Sequence, residues 1–166
     1  MQVNKPSRKK IRYPIQPPLL EYLEYYNRLV KLPLSYDDLV RYSSAIPLLD
    51  QEGNDTYWET VFYPENEQKE IYQGLKYIYA LLKTEGDVEV IQHLTISRID
   101  YCIFGNSKPF RIRIINRIND NYDHFYIKVA DASRSYGLEL EALLSPNSVM
   151  YYVDGHTLIE EHIAGI

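Results

Sequence analysis

The spacing of apolar residues changes once along this chain, near residue 87, and that change divides it in two. On the N-terminal side the spacing is helical. Leu19, Leu20, Leu23, Tyr26 and Val30 predict an amphipathic helix over about 18–31, stopped by Pro33. Ser35 followed by Asp38 resembles a capping box and opens a second short helix that ends before Pro47. Asp50 to Asp55, with Gly53, reads as a loop, and Tyr57–Tyr63 is a short strand candidate. Pro64 suits a first helical position, with Glu65 and Glu67 at the positive end of the helix dipole. Ile71, Leu75, Ile78 and Leu82 make one buried stripe, and Gly86 supplies the stop.

Beyond Val88 the period becomes two. Val90–Ile96, Ile99–Phe104, Phe110–Ile114 and His124–Ala130 read as strand, with turns at 105–109 and 119–123. Phe110, Ile112 and Ile114 share one face and should point into the core. A helix over about 134–144 stops at Pro146. Val149–Val153 and Thr157–Ile163 then flank a turn at Asp154-Gly155. The expected fold class is α+β. A basic flexible arm (1–16) and a helical region (17–86) precede a five-stranded antiparallel sheet with one crossing helix (87–166), in the order β-β-β-α-β-β.

Composition narrows the function classes. With 166 residues, 45% of them hydrophobic, the chain can bury one sizeable core or two small ones. No apolar run approaches the ~20 residues of a membrane span, so no membrane partner is expected. Cys102 is the only cysteine, which excludes an internal disulfide framework or a multi-cysteine zinc site and suits a reducing cytoplasm. Net charge is −5, yet Lys5, Arg8, Lys9, Lys10 and Arg12 make the first twelve residues basic. The remaining body is acidic, so nucleic acid is not the expected partner. His93, His124, His156 and His162 show no metal-ligand spacing.

The second half carries three short motifs. Phe125-Tyr-Ile-Lys128 places a lysine on a strand, with Tyr126 and Lys128 on one face and Phe125 and Ile127 on the other. Glu139 follows on the next helix, sharing a face with Tyr136 and Leu143, and Glu141 is the alternative carboxylate. Thr157-Leu-Ile-Glu-Glu161-His-Ile163-Ala-Gly165 is a strand with an acidic, apolar, glycine exit. With the order of the elements, these motifs resemble the small lobe of the protein-kinase-like superfamily, in its aminoglycoside-phosphotransferase-like or lipid-kinase-like branches. The resemblance covers about 90–166.

The resemblance implies ATP, as Mg-ATP, for a cofactor. It makes Lys128 the contact to the nucleotide phosphates, Glu139 or Glu141 its partner, and Gly105 the remnant of a phosphate loop. It assigns the backbone of Glu161 and Ile163 to the adenine edge and names no metal ligand in this stretch. Tyr126 stands where the family has a small residue, and Gly105-Asn-Ser-Lys-Pro109 lacks the glycine-rich pattern. The family's catalytic and magnesium-binding residues lie after the hinge. The implied role is therefore the nucleotide-binding lobe of a phosphotransferase that is not competent without a large lobe. The alternative is a non-enzymatic interaction module that offers the inter-lobe face to a protein partner.

Overall fold

The computed structural model describes residues 13–84, 86–105, 107–144 and 149–162, with the side chains of 141–144 excepted. Four helices are present among them: α1 (Pro17–Tyr25), α2 (Tyr36–Leu39), α3 (Glu65–Thr84) and α4 (Ala132–Leu144). The strands are β1 (Ser44–Leu49), β2 (Asp55–Phe62), β3 (Leu94–Cys102), β4 (Phe110–Asn116), β5 (Asn121–Val129), β6 (Tyr151–Asp154) and β7 (Thr157–Glu161). They form one sheet in the order β1-β2-β3-β4-β5-β7-β6, with every neighbouring pair antiparallel. The chain is thus a mixed α+β protein on an antiparallel sheet of seven strands, not five.

The two additional strands come from the region expected to be helical. β1 occupies the stretch read as the end of a helix, and Pro47 lies inside it. An edge strand tolerates proline because half of its backbone groups have no neighbour to bond. The helix expected over 18–31 also ends early, at Tyr25. Asn27 then takes φ 58°, a left-handed value that turns the chain, and Leu29 forms a parallel bridge to Val153. Residues 88–93, expected to enter a strand, form a 3₁₀ helix capped by the Asp87 carboxylate, which accepts from the Glu89 amide. The capping box forms as its spacing predicts. Ser35 accepts from the Asp38 amide at 3.2 Å, and Asp38 accepts from the Ser35 amide at 2.9 Å.

Alternation in β4 and β5 decides which side of the sheet is the main core. Phe110, Ile112 and Ile114 pair with Ile127, Phe125 and Asp123, and all five apolar members are buried. Against them lie Ile71, Leu75, Ile78 and Leu82 of α3, the stripe with helical period. Each such side chain contributes about 1.5–3 kcal/mol on burial. Gly74 lets Leu34 approach α3, since a Cβ there would meet Leu34 Cγ at 2.7 Å.

A smaller core lies on the opposite face, at the β7–β6 end. Leu19 and Leu23 of α1 and Leu138 of α4 pack there on Tyr151, Val153 and Leu158. The rest of that face, over β1 to β5, carries polar and aromatic side chains together with the aliphatic Ile46, Leu48 and Ile115. Its arginines and aromatic rings come from the positions that alternate with the core residues.

Candidate functional site

Lys128 is the lysine that the sequence singles out, and its position follows from the pairing of β5. Phe125 and Ile127 enter the main core, so Tyr126 and Lys128 emerge on the face that α4 covers. Antiparallel partners share a face, which brings Glu160, opposite Tyr126, to the same side. The Lys128 ammonium donates to Glu160 Oε1. Arg134, at the start of α4, donates to Glu160 Oε2 through Nε at 3.1 Å and Nη2 at 2.8 Å. Glu160 is only 3% exposed, and two cations offset its burial. Beside it the Tyr126 hydroxyl meets His162 Nδ1 at 3.1 Å, and burial raises the pKa of that phenol.

The expected Lys128–Glu139 pair is not formed. Glu139 lies on the same face of the sheet, but its carboxylate accepts from Arg28 Nε at 2.9 Å and from the Tyr151 hydroxyl at 2.6 Å. The Tyr22 hydroxyl is 3.4 Å away. Burial first, and the adjacent Glu139 second, raise the pKa of both phenols, and the Tyr151 value is pushed well beyond the ordinary range. Arg28 wins this carboxylate because the turn after α1 places it over the Tyr151 ring, 4.8 Å from the centroid. No local pattern announces a partner 111 residues away in sequence. Glu141, the alternative, falls among the side chains not described.

The remaining expected residues lie apart. Gly105 sits in the β3–β4 turn with φ 89°, the conformation that favours glycine, and no side chain packs on it. The Glu161 side chain faces α3, where Lys83 Nζ lies 2.9 Å from Oε2 and the Met150 amide donates to Oε1 at 2.9 Å. Glu160 and Glu161 therefore face opposite ways, as neighbours on a strand must. Ile163 lies outside the described residues. His156 pairs with Asp37 at 2.6 Å on the surface. Among the described residues no group of three or more His, Cys, Asp or Glu side chains is placed to hold a metal ion, and no helix is long and apolar enough to cross a membrane.

Sequence reasoning passed over a second group of side chains on this face. Asp100 is fully buried and accepts from Arg98 Nε at 2.9 Å, Arg111 Nη2 at 3.1 Å and the Thr60 hydroxyl at 2.9 Å. Arg111 stacks over Trp58 and Arg113 over Tyr122, each 4.1 Å from the ring centroid. The signal was present in Phe110-Arg-Ile-Arg-Ile114, where the arginines alternate with the core residues. His124 lies opposite Arg113, and its ring is 5.7 Å from that of His162.

Burial lowers the His124 pKa from 6.5, and the positive charges of Arg111, His162 and Arg113 lower it further against a smaller opposing effect of Asp123. As pH falls, the unfolded chain takes up this proton first. The contribution of His124 to stability is therefore complete above pH 6.5 and is lost as pH drops toward the folded-state value. Thermal unfolding followed from about pH 7.5 to about pH 5.5 should show a steeper decline for the parent chain than for His124→Gln. Equal slopes would remove His124 as the source.

Compared with protein-family models, curated proteins and solved structures, the chain finds no match.

Proposed function

We propose that residues 94–161 act as the nucleotide-binding small lobe of a kinase-like phosphotransferase. One observation carries this reading. The chain order β3-β4-β5-α4-β6-β7, with the strands lying β3-β4-β5-β7-β6 in the sheet, sets Lys128 on the third of these strands, on the face that α4 crosses. The side chain is about one-fifth exposed and is held by an acid. An ammonium has three donors, so the bond to Glu160 leaves others for phosphate oxygens. Arg134 already binds Glu160 through two nitrogens and can keep that carboxylate neutralised when Lys128 turns to a ligand.

In this reading Lys128 binds the nucleotide phosphates and Mg-ATP is the cofactor. Glu160 is the resident partner of the lysine. Glu139 is held in reserve by Arg28. Tyr126, beside Lys128, stacks on the base or moves aside. The backbone of Glu161 and Ile163 keeps the adenine-edge role that the resemblance implies. Phosphoryl transfer needs a positioned metal and an oriented acceptor. In this family a large lobe supplies both, so these strands form one wall of the cleft.

The test is thermal unfolding with and without millimolar Mg-ATP. A ligand at a hundredfold excess over its Kd adds about 2.7 kcal/mol of stability. The melting temperature should rise for the parent chain and stay unchanged for Lys128→Ala, with circular dichroism confirming that the variant is folded. Absence of a shift in the parent chain, or an equal shift in the variant, sinks the nucleotide reading.

A second reading is favoured by the same ion pair. Lys128 and Tyr126 already have partners in Glu160 and His162, as in a surface built to be covered by another protein. A non-enzymatic interaction module then follows, with the same face as its docking surface. A parent chain indifferent to Mg-ATP is the outcome that selects it.

A further inference from the structure

We infer that the face of β3, β4 and β5 holds an oxyanion site, formed by Arg98, Arg111 and Arg113 beside His124, that takes the phosphate group of a small molecule. The inference does not rest on the nucleotide reading, since neither Lys128 nor Glu160 takes part.

The first observation is a charge imbalance. Arg98 and Arg113 are direct cross-strand partners in the β3–β4 ladder. Like charges placed opposite each other destabilise a sheet. Arg111 lies one step along the same face, opposite Asp100. Asp100 is the one carboxylate these three guanidinium groups contact among the described residues, and it serves only Arg98 and Arg111. The side chains of Arg98 and Arg111 are 29% and 22% exposed, so water screens the cluster poorly. A chain of net charge −5 has gathered three cations around one acid on a half-buried surface.

The second observation concerns unused donors. Arg113 stacks on the Tyr122 ring, and no hydrogen bond or ion pair satisfies its guanidinium among the described residues. Arg111 Nε is buried without an acceptor. Stacking on Trp58 and Tyr122 fixes the planes of two guanidinium groups and leaves the edge of Arg113 to donate, while Arg111 already gives Nη2 to Asp100. Fixed, planar donor edges are what tetrahedral oxyanions bind well, because paired N–H groups meet two oxygens at once. A phosphate dianion matches the two uncompensated charges. A single carboxylate would leave one of them in place. His124 borders the site as a neutral ring at pH 7, able to donate one further hydrogen bond.

The experiment titrates the whole chain with inorganic phosphate and separately with a nucleoside monophosphate, each against chloride at equal ionic strength. Binding is followed by calorimetry and by the ring resonances of His124. Phosphate should bind and shift those resonances where chloride does not. Arg113→Gln should weaken binding about tenfold or more, the loss of a charge-assisted contact. It should also fold at least as stably as the parent, because it removes a like-charge neighbour. Lys128→Ala should bind phosphate as the parent does, which separates this site from the nucleotide reading. Equal affinity for the two probes identifies the phosphate alone as the recognised group. Tighter binding of the nucleoside monophosphate adds its ring. Phosphate acting no differently from chloride, or binding undiminished in a folded Arg113→Gln, overturns the inference.

Discussion

Replacing Asp100 by alanine is expected to lower the free energy of unfolding by about 3–5 kcal/mol, the usual result of removing one partner from a buried ion pair. The side chain is fully buried and receives two guanidinium groups and a hydroxyl. Its loss leaves Arg98 and Arg111 facing Arg113 with no acid between them. The Thr60 hydroxyl loses its acceptor at the same time. Urea titration measures the effect, and Asp100→Asn separates charge from shape. The amide oxygen can still accept from Thr60, so the asparagine variant should recover part of the loss. A cost below about 1 kcal/mol for alanine would mean that the arginines are solvated like surface ion pairs.

The second large effect is expected at Glu139, where alanine should cost about 3 kcal/mol. That carboxylate is 8% exposed and joins two parts of the molecule, Arg28 after α1 and Tyr151 on β6. Truncation strands a guanidinium and a buried hydroxyl together. A double replacement, Arg28→Met with Glu139→Leu, should cost much less, because apolar groups of similar volume replace both charges. Measuring both single variants and the pair gives the coupling directly. Additive losses would show that the two side chains do not act as one unit. The same cycle bears on the nucleotide reading, since Arg28 holds the acid that the family resemblance assigns to Lys128.

The sequence revealed those parts of the fold that local chemistry determines. The stripe of Ile71, Leu75, Ile78 and Leu82 specifies α3 because a solvated outer face follows from the same spacing. Phe110, Ile112 and Ile114 specify β4 by strict alternation. Ser35 and Asp38 mark a helix start because two orphan amides are satisfied within four residues.

What failed depended on contacts distant in sequence. β1 has little strand character of its own, and Pro47 argued against it. It exists because β2 offers an open edge to pair with. The early end of α1 reflects the pull of β6, whose Val153 bonds both Arg28 and Val30 through the backbone. The candidate site divides in the same way. The position of Lys128 and the face it occupies were legible from alternation alone. Its acid partner was not, because Glu139 and Glu160 both reach that face and the choice belongs to Arg28 and Arg134, residues with no motif.

The segments on both sides of α1 tie the beginning of the described chain to its end. The Tyr13 amide donates to Asp131, the Ala132 amide to the Tyr13 carbonyl, and the Leu32 amide to Asp154. Leu19 and Leu23 pack on side chains more than a hundred positions later. During synthesis this segment lacks its packing partners until β6 and β7 have left the ribosome. Such non-local closure is slow, because long stretches of chain must be ordered before the contacts form. The apolar face of α1 thus stays uncovered until those strands are made, which exposes it to non-native contacts in the meantime.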